Sequence, residues 1–404
     1  MQQPWIASPD AAPALAFADA HWDASDVLRL GAELERGFGL TTQQRAAVLT
    51  QAELRQRATR RWGEHSDGLF LTREGLEQAT RPLLARWRAE RLRGYGVQAI
   101  ADLGCGLGLE ARAMTSAGIR VSAIELNAET AALAAANLHD RNADVRLGDV
   151  TQPAVLEPVL AEVDAVFLDP ARRDPTAPRS IDGLSGHRVS DPSRWSPPWP
   201  WITALAARQP RTVAKVAPGI DHALIPEGGA AVWAAVDGDL LEASIWFPGF
   251  EPTASRACLD LDQGSAAWLD DRMPAAEDIC SVGDYLLDVA PVVTRSHLVT
   301  TLAAAIAAAR IDEHIGYLTT DSAPQPSPFH HAYRVLEVLP FERKRVGAAV
   351  AAHGAGSLTV MKRGINLDTE ALRRHWLARS KGSAALVVAL TRIGNAPTAI
   401  ICQA

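Results

Sequence analysis

The chain has 404 residues, of which 48% are hydrophobic and 22% charged, and its formal net charge is −7. This length predicts two or three globular domains. The mildly acidic balance excludes a protein that coats nucleic acid by bulk charge, but it leaves room for a local basic groove. No apolar run reaches the roughly 18 residues of a membrane helix, and no basic segment followed by an apolar stretch opens the chain. Cys105, Cys258, Cys280 and Cys402 stand far apart with no CxxC pair. The expectation is a reducing cytoplasm, with neither a disulfide framework nor a zinc knuckle. Arginine greatly outnumbers lysine throughout, so arginine content alone carries no information about partners.

From about residue 20 to 95, apolar residues recur at helical spacing and predict helices over 26–36, 42–61 and 72–93. From Val97 onward, short apolar runs alternate with helical stretches. Strands are expected over 97–103, 120–125, 144–147, 165–168 and 211–216, with helices over 109–117, 129–140 and 199–207. Such alternation predicts a Rossmann-like, doubly wound parallel α/β sheet, and runs over 240–247 and 256–261 would extend its edge. Residues 253–288 read as a poorly patterned connector. A smaller α/β unit follows, with helices over 296–309, 342–352 and 368–378 and strands over 333–339, 357–362, 384–390 and 398–402. Gly394-Asn395-Ala396-Pro397 reads as the hairpin turn between the last two strands. The expected division is a helical region at 1–95, the α/β core at 96–282 and the second α/β unit at 283–404.

Asp102-Leu103-Gly104-Cys105-Gly106-Leu107-Gly108 lies between a predicted strand and a predicted helix. Glycines there allow a tight turn and let a ligand approach the backbone. The spacing is GxGxG rather than GxGxxG, and Asp102 ends the strand. A cofactor carrying an ammonium and a sulfonium rewards that carboxylate, whereas a pyrophosphate does not. Glu125, 23 residues on, ends the second strand where an acid can accept both ribose hydroxyls, with Leu126 beside it. Asp149 and Val150 end the third strand, where Asp149 either meets an adenine amino group or forms an Asx turn.

Asp169-Pro170-Ala171-Arg172-Arg173-Asp174 ends the fourth strand. In an order-reversing sheet this strand neighbours the first, which places Asp169 over the crevice, and Asp-Pro makes a rigid turn there. Asp169, Pro170 and Arg172 are the candidates for orienting an acceptor, and methyl transfer needs little beyond positioning. Lys215, inside an apolar run at the end of the fifth strand, reads equally as a crevice residue or a solvated edge residue. Gln78, Thr80 and Arg81 read from periodicity as a polar helix face. The tryptophan- and proline-rich stretch 191–200 reads as a long loop at the sheet's carboxyl edge.

The strings ADLGCGLG, AIE, GDV and FLDPARR resemble motifs I to IV of class I S-adenosylmethionine-dependent methyltransferases. Together with LFLTREGLEQATRP at 69–82 and TVMKRGINLDTEALRRHW at 359–376, they resemble the bacterial members with a C-terminal THUMP-like domain. The resemblance implies S-adenosylmethionine held by Asp102, Gly104, Cys105, Gly106, Gly108, Glu125, Leu126, Asp149 and Val150, with Gln78 and Thr80 as a lid. It also implies structured RNA, tRNA or rRNA, as substrate and partner through the C-terminal domain, since true THUMP domains bind RNA. The chain departs from the amino-methylating pattern [N/D]-P-P-[Y/F], because Ala171 and Arg172 stand where a proline and an aromatic clamp a base. The target atom is therefore left open. No cysteine is placed to attack a pyrimidine, which disfavours covalent carbon-5 chemistry.

Three basic runs, Arg343-Lys344-Arg345, Lys362-Arg363 and Arg373-Arg374-His375, read either as solvated faces or as one phosphate-tracking surface. His330-His331 has no ligand partners at metal spacing, so no metal is expected. Two alternatives stay open: a small-molecule methyltransferase with an aromatic pocket built from Trp195 to Trp201, and a non-catalytic S-adenosylmethionine-binding scaffold.

Overall fold

The computed structural model describes residues 4–66, 68–171, 191–262 and 265–404. Arg172, Arg173 and Asp174 lie outside the described residues. The chain divides into two compact units, one of Met1–Val216, Pro226–Gly229 and Ser244–Pro252, the other of Ala217–Ile225, Ala230–Ala243 and Thr253–Ala404.

The first unit opens with five helices: α1 (Ala12–Ala20), α2 (Val27–Phe38), α3 (Thr42–Trp62), α4 (Arg73–Gln78) and α5 (Pro82–Gly94). A Thr41–Gln44 capping box starts α3, and Gly39 in the left-handed region ends α2. The single helix expected over 72–93 is two. Pro82 occupies the first position of α5, and a residue before proline is pushed out of the helical region; Arg81 accordingly sits at φ −59°, ψ 135°. Leu54, Ala58, Trp62, Leu69, Leu71 and Leu76 pack against Leu107 and Leu133, which lays these helices on the glycine loop.

Five parallel strands follow: β1 (Ala99–Leu103), β2 (Arg120–Glu125), β3 (Ala143–Leu147), β4 (Ala165–Leu168) and β5 (Thr212–Val216). Their order is β3-β2-β1-β4-β5, with α6 (Leu109–Ser116), α7 (Ala128–Asn137), α8 (Pro153–Leu160) and α9 (Trp199–Arg208) as connections. β1, β4 and β5 are buried along their whole length, as strands covered on both faces require. The order reverses between β1 and β4, which opens a crevice at the carboxyl ends. Sequence patterning misses α8 because two prolines, Pro153 and Pro158, mask its periodicity. Arg88 of α5, fully buried, pairs with Glu110 of α6 and lies 5.2 Å over the ring of Phe167 in β4.

In the second unit β6 (Ala230–Val236) runs parallel to β8 (Arg256–Leu261), which pairs antiparallel with β9 (Ala266–Asp270). β7 (Asp239–Trp246) passes from this unit into the first. β6 has the sequence AAVWAAV, too alanine-rich to read as a strand, yet all seven residues are buried. The supposed connector 253–288 therefore holds β8, β9 and most of β10 (Tyr285–Val289).

A second sheet runs β11-β12-β10-β13-β16-β15-β14, from β11 (Ala309–Arg310), β12 (Tyr317–Thr320), β13 (His330–Pro340), β14 (Ala355–Lys362), β15 (Ala384–Ile393) and β16 (Ala396–Gln403). The helix expected over 296–309 is instead α10 (Pro291–Arg295) and α11 (Val299–Ala305), parted by His297 at φ 59°. One sheet face takes α12 (Arg343–Ala352) and α13 (Thr369–Leu377), through Val346, Val350, Leu372 and Trp376 on Leu358, Leu386, Val388 and Leu390. A Cβ on Gly347 would lie 2.7 Å from Cδ1 of Trp376, so this contact requires glycine. The other face packs Ile311, Ile315 and Tyr317 on Val387, Ala389, Ile400 and Cys402. β15 and β16 meet at the expected hairpin, with Ile393 opposite Ala396.

Removing one member of a buried ion pair leaves an uncompensated charge, whereas removing both is far better tolerated. Arg88→Met is expected to lower the unfolding free energy by about 3–5 kcal/mol, and adding Glu110→Met to recover most of that loss. Urea melts of the wild type, both single variants and the double variant measure it; an Arg88→Met loss under about 1 kcal/mol would show that the pair does not anchor α5.

Candidate active site

At the end of β1 the backbone folds back onto β2. The N–H groups of Gly104 and Cys105 both donate to the Ile124 carbonyl, at 2.9 and 3.1 Å, and Gly108 N–H closes the loop on the Cys105 carbonyl at 2.9 Å. Gly104, Gly106 and Gly108 take φ values of 84°, 54° and 76°, a region that glycine enters without strain. A Cβ on Gly106 would meet nothing within 4 Å, while one on Gly108 would sit 2.9 Å from Leu138 Cδ1. Gly106 thus keeps the backbone open to an approaching ligand, and Gly108 allows helix packing.

Asp102, 1% exposed, lies beneath this loop, and its Oδ2 is buried with no hydrogen-bond partner among the described residues. Burial, followed by the carboxylates of Glu110, Asp169 and Glu125, pushes its pKa well above the usual carboxylate range, against the pull of the Lys215 ammonium. Glu125 accepts from Gly106 N–H at 3.0 Å and Asn127 N–H at 2.9 Å, tying the loop to the start of α7. Leu126 beside it is 64% exposed, a large apolar side chain at the rim. Asp149 accepts from the N–H and hydroxyl of Thr151 at 2.9 and 2.7 Å, forming an Asx turn, and Val150 is half-buried. The Cys105 thiol is buried, and burial with the Asp102 and Glu125 carboxylates pushes its pKa well up.

Leu103 pairs with Leu168, which sets Asp169 beside the loop; its carbonyl oxygen would lie 3.9 Å from a Cβ on Gly104. Leu168 in turn pairs with Ala214, which brings Lys215 alongside. The Lys215 ammonium donates to Asp169 Oδ2 at 2.5 Å and to Thr80 Oγ1 at 2.9 Å. With 6% exposure Lys215 is a crevice residue, and the edge reading falls away. A lone lysine at the carboxyl end of an apolar strand was the signal for it. Pro170 is buried, and Ala171 forms a two-bond bridge with Ser196, at 2.8 and 3.0 Å, which pins the Asp-Pro turn.

Thr80, 8% exposed, reaches this cluster because the chain is extended between α4 and α5. Gln78 does not: it is exposed and donates to Glu74 at 3.1 Å. Trp195 and Trp199 are buried, 6.0 Å apart edge to face, with Trp199 against Phe247. They belong to the core, which corrects the reading of this stretch as an aromatic pocket.

The basic runs separate likewise. Arg363 is half-buried and engaged, donating to Asp288 at 2.8 Å and to the Val289 carbonyl at 2.6 Å, and lying 5.2 Å over the Tyr317 ring. Arg373 is bound by Glu370, whereas Arg343, Lys344 and Arg345 are exposed. Among the described residues no group of three His, Cys, Asp or Glu could hold a metal, and no helix is long and apolar enough to cross a membrane.

An orphaned buried carboxylate oxygen, a glycine loop open at Gly106 and a strand-end acid fit a cofactor with a cationic amino-acid end and a ribose. Comparison with known proteins agrees. Residues 101–169 match the model of a methyltransferase domain, and residues 330–404 match that of a THUMP domain-like family. An uncharacterized S-adenosylmethionine-dependent methyltransferase of Mycobacterium tuberculosis, found in two strains, is 30% identical over 366 residues, covering 87% of this chain and 94% of its own. A solved structure from Porphyromonas gingivalis W83, named provisionally as a methyltransferase, shares the fold with a TM-score of 0.68 at 17% identity, over 95% of this chain and 99% of that one. A likeness that runs through both matched segments and nearly the whole mycobacterial protein places this chain among the S-adenosylmethionine-dependent methyltransferases.

Proposed function

We propose that this enzyme methylates a nucleobase of structured RNA, tRNA or rRNA, by direct transfer, in the cytoplasm of a bacterium. The observation that carries the reading is the THUMP-like segment at 330–404, joined to a methyltransferase core and bearing the exposed Arg343-Lys344-Arg345 run. In this reading 1–95 is a helical region that helps close the site, 96–282 the catalytic domain and 283–404 the RNA-binding domain.

S-Adenosylmethionine supplies an electrophilic methyl group that needs no further activation. Asp102 meets its ammonium, and Gly104, Cys105, Gly106 and Gly108 cradle the methionine part. Glu125 accepts from the ribose hydroxyls, with Leu126, Asp149 and Val150 around the adenine and Thr80 near the lid. Asp169, Pro170 and Arg172 orient the acceptor, with Asp169 accepting from an amino N–H so that the lone pair faces the methyl. The acceptor's proton leaves to water after transfer. The raised pKa of the buried Cys105 thiol supports direct rather than covalent transfer.

Asp102 has its pKa raised in the folded state, so the unliganded fold loses stability as pH rises from the ordinary carboxylate value through the raised one. An arriving ammonium favours the carboxylate, and cofactor binding in that pH window releases a proton. Calorimetry in buffers of different ionisation enthalpy should show that release. Asp102→Asn should abolish it, weaken cofactor binding about tenfold or more, and stabilise the unliganded protein at neutral pH.

Asp169→Ala is expected to cut methyl transfer to bulk tRNA and rRNA at least about a hundredfold, while S-adenosylhomocysteine binds within about threefold of wild type. Retained transfer would remove Asp169 from the acceptor site. Replacing Arg343, Lys344 and Arg345 together by Glu should weaken binding of bulk tRNA about tenfold or more and flatten its salt dependence. Unchanged affinity in a filter-binding titration would move the RNA surface elsewhere.

A further inference from the structure

Lys215 is a buried cation that pairs with Asp169 and whose charge also acts on Asp102. Glu110 is answered by Arg88, while the charges of Glu125, Asp169 and Lys215 all act on the buried Asp102. The ammonium is held on two sides, by Thr80 Oγ1 at 2.9 Å and Asp169 Oδ2 at 2.5 Å. One anchor comes from the catalytic sheet and the other from the extended break before α5. This grip fixes which oxygen of Asp169 is occupied, and therefore how the carboxylate is presented.

The charge of Lys215 also has a chemical consequence. In the transfer step the acceptor lone pair forms the new bond to the methyl carbon, the carbon–sulfur electron pair stays on sulfur, and the acceptor proton goes to water. The cofactor thus enters with a positive sulfur and leaves without it. A crevice of uncompensated carboxylates would hold the sulfonium most strongly in the ground state, and binding that is lost in the transition state slows the step.

We propose that Lys215 is a positioning residue that fixes Asp169 against Thr80 and cancels its charge, and so sets the crevice's preference between S-adenosylmethionine and S-adenosylhomocysteine. This rests on the reading that the cofactor's sulfur lies near Asp169, but it is independent of the RNA assignment.

The test is calorimetric and uses the full chain without acceptor, measuring Kd for both ligands on wild type, Lys215→Met, Lys215→Arg, Asp169→Asn and the Lys215→Met/Asp169→Asn pair. Lys215→Met is expected to shift the ratio of the two affinities toward S-adenosylmethionine by roughly tenfold. Asp169→Asn should shift it the opposite way, and the double variant and Lys215→Arg should return it to near the wild-type value. A purely structural lysine would weaken both ligands alike and leave the ratio unmoved, and that result from a cooperatively melting Lys215→Met protein overturns the proposal. If Lys215→Met alone fails to fold, the double variant decides, and a ratio equal to that of Asp169→Asn overturns it too. If Asp169→Asn shifts the ratio and Lys215→Met does not, only the role of Lys215 falls. If neither does, the placement of the cofactor's sulfur beside Asp169 falls with it.

Discussion

A charge taken out of water must be answered within the fold, and this protein concentrates that demand at the carboxyl end of β1. Asp102, Glu110, Glu125 and Asp169 all act on that one point. Glu110 is answered by Arg88 and Asp169 by Lys215, while Glu125 is spread over two backbone N–H groups. Asp102 Oδ2 and Glu110 Oε2 both stay buried with no hydrogen-bond partner among the described residues, but Glu110 has the Arg88 guanidinium against its other oxygen. The unliganded fold tolerates this because desolvation and like charges favour the protonated acid. A cation brought against Asp102 Oδ2 would relieve the same cost.

This demand also explains the helical region. Arg88 of α5 neutralises Glu110, and Thr80, just before α5, holds Lys215. Both depend on Pro82, which breaks the helix and lets the chain run extended across the crevice before α5 begins. A continuous helix through 79–81 would carry Thr80 in helical geometry and could not reproduce the extended approach. The N-terminal helices are thus tied to the carboxyl edge of the sheet by these two contacts.

In the second unit, positive charge serves two ends. Arg363, half-buried, locks β14's end to Asp288 and Val289 across the Tyr317 ring. The run at the start of α12 stays in solvent. The two are indistinguishable as strings of arginine and lysine, because a guanidinium satisfies a buried carboxylate and a phosphate through the same donors.

Much of the core could be read from local pattern. The alternating strands β1 to β5, the glycine loop and the acids at three strand ends were legible, because hydrophobic period and glycine punctuation are local signals. The order β2-β1-β4, which brings Asp169 to the loop, followed from the topology of such folds. The alanine-rich β6 was not legible, since its strand state comes from burial on both sides rather than from residue preference. Long-range packing, in contrast, set Lys215 into the crevice, brought Thr80 rather than Gln78 to it, and buried Trp195 and Trp199. Those outcomes depend on contacts between residues as far apart as Thr80 and Lys215, and no local period encodes which polar side chain will meet a buried charge across that distance.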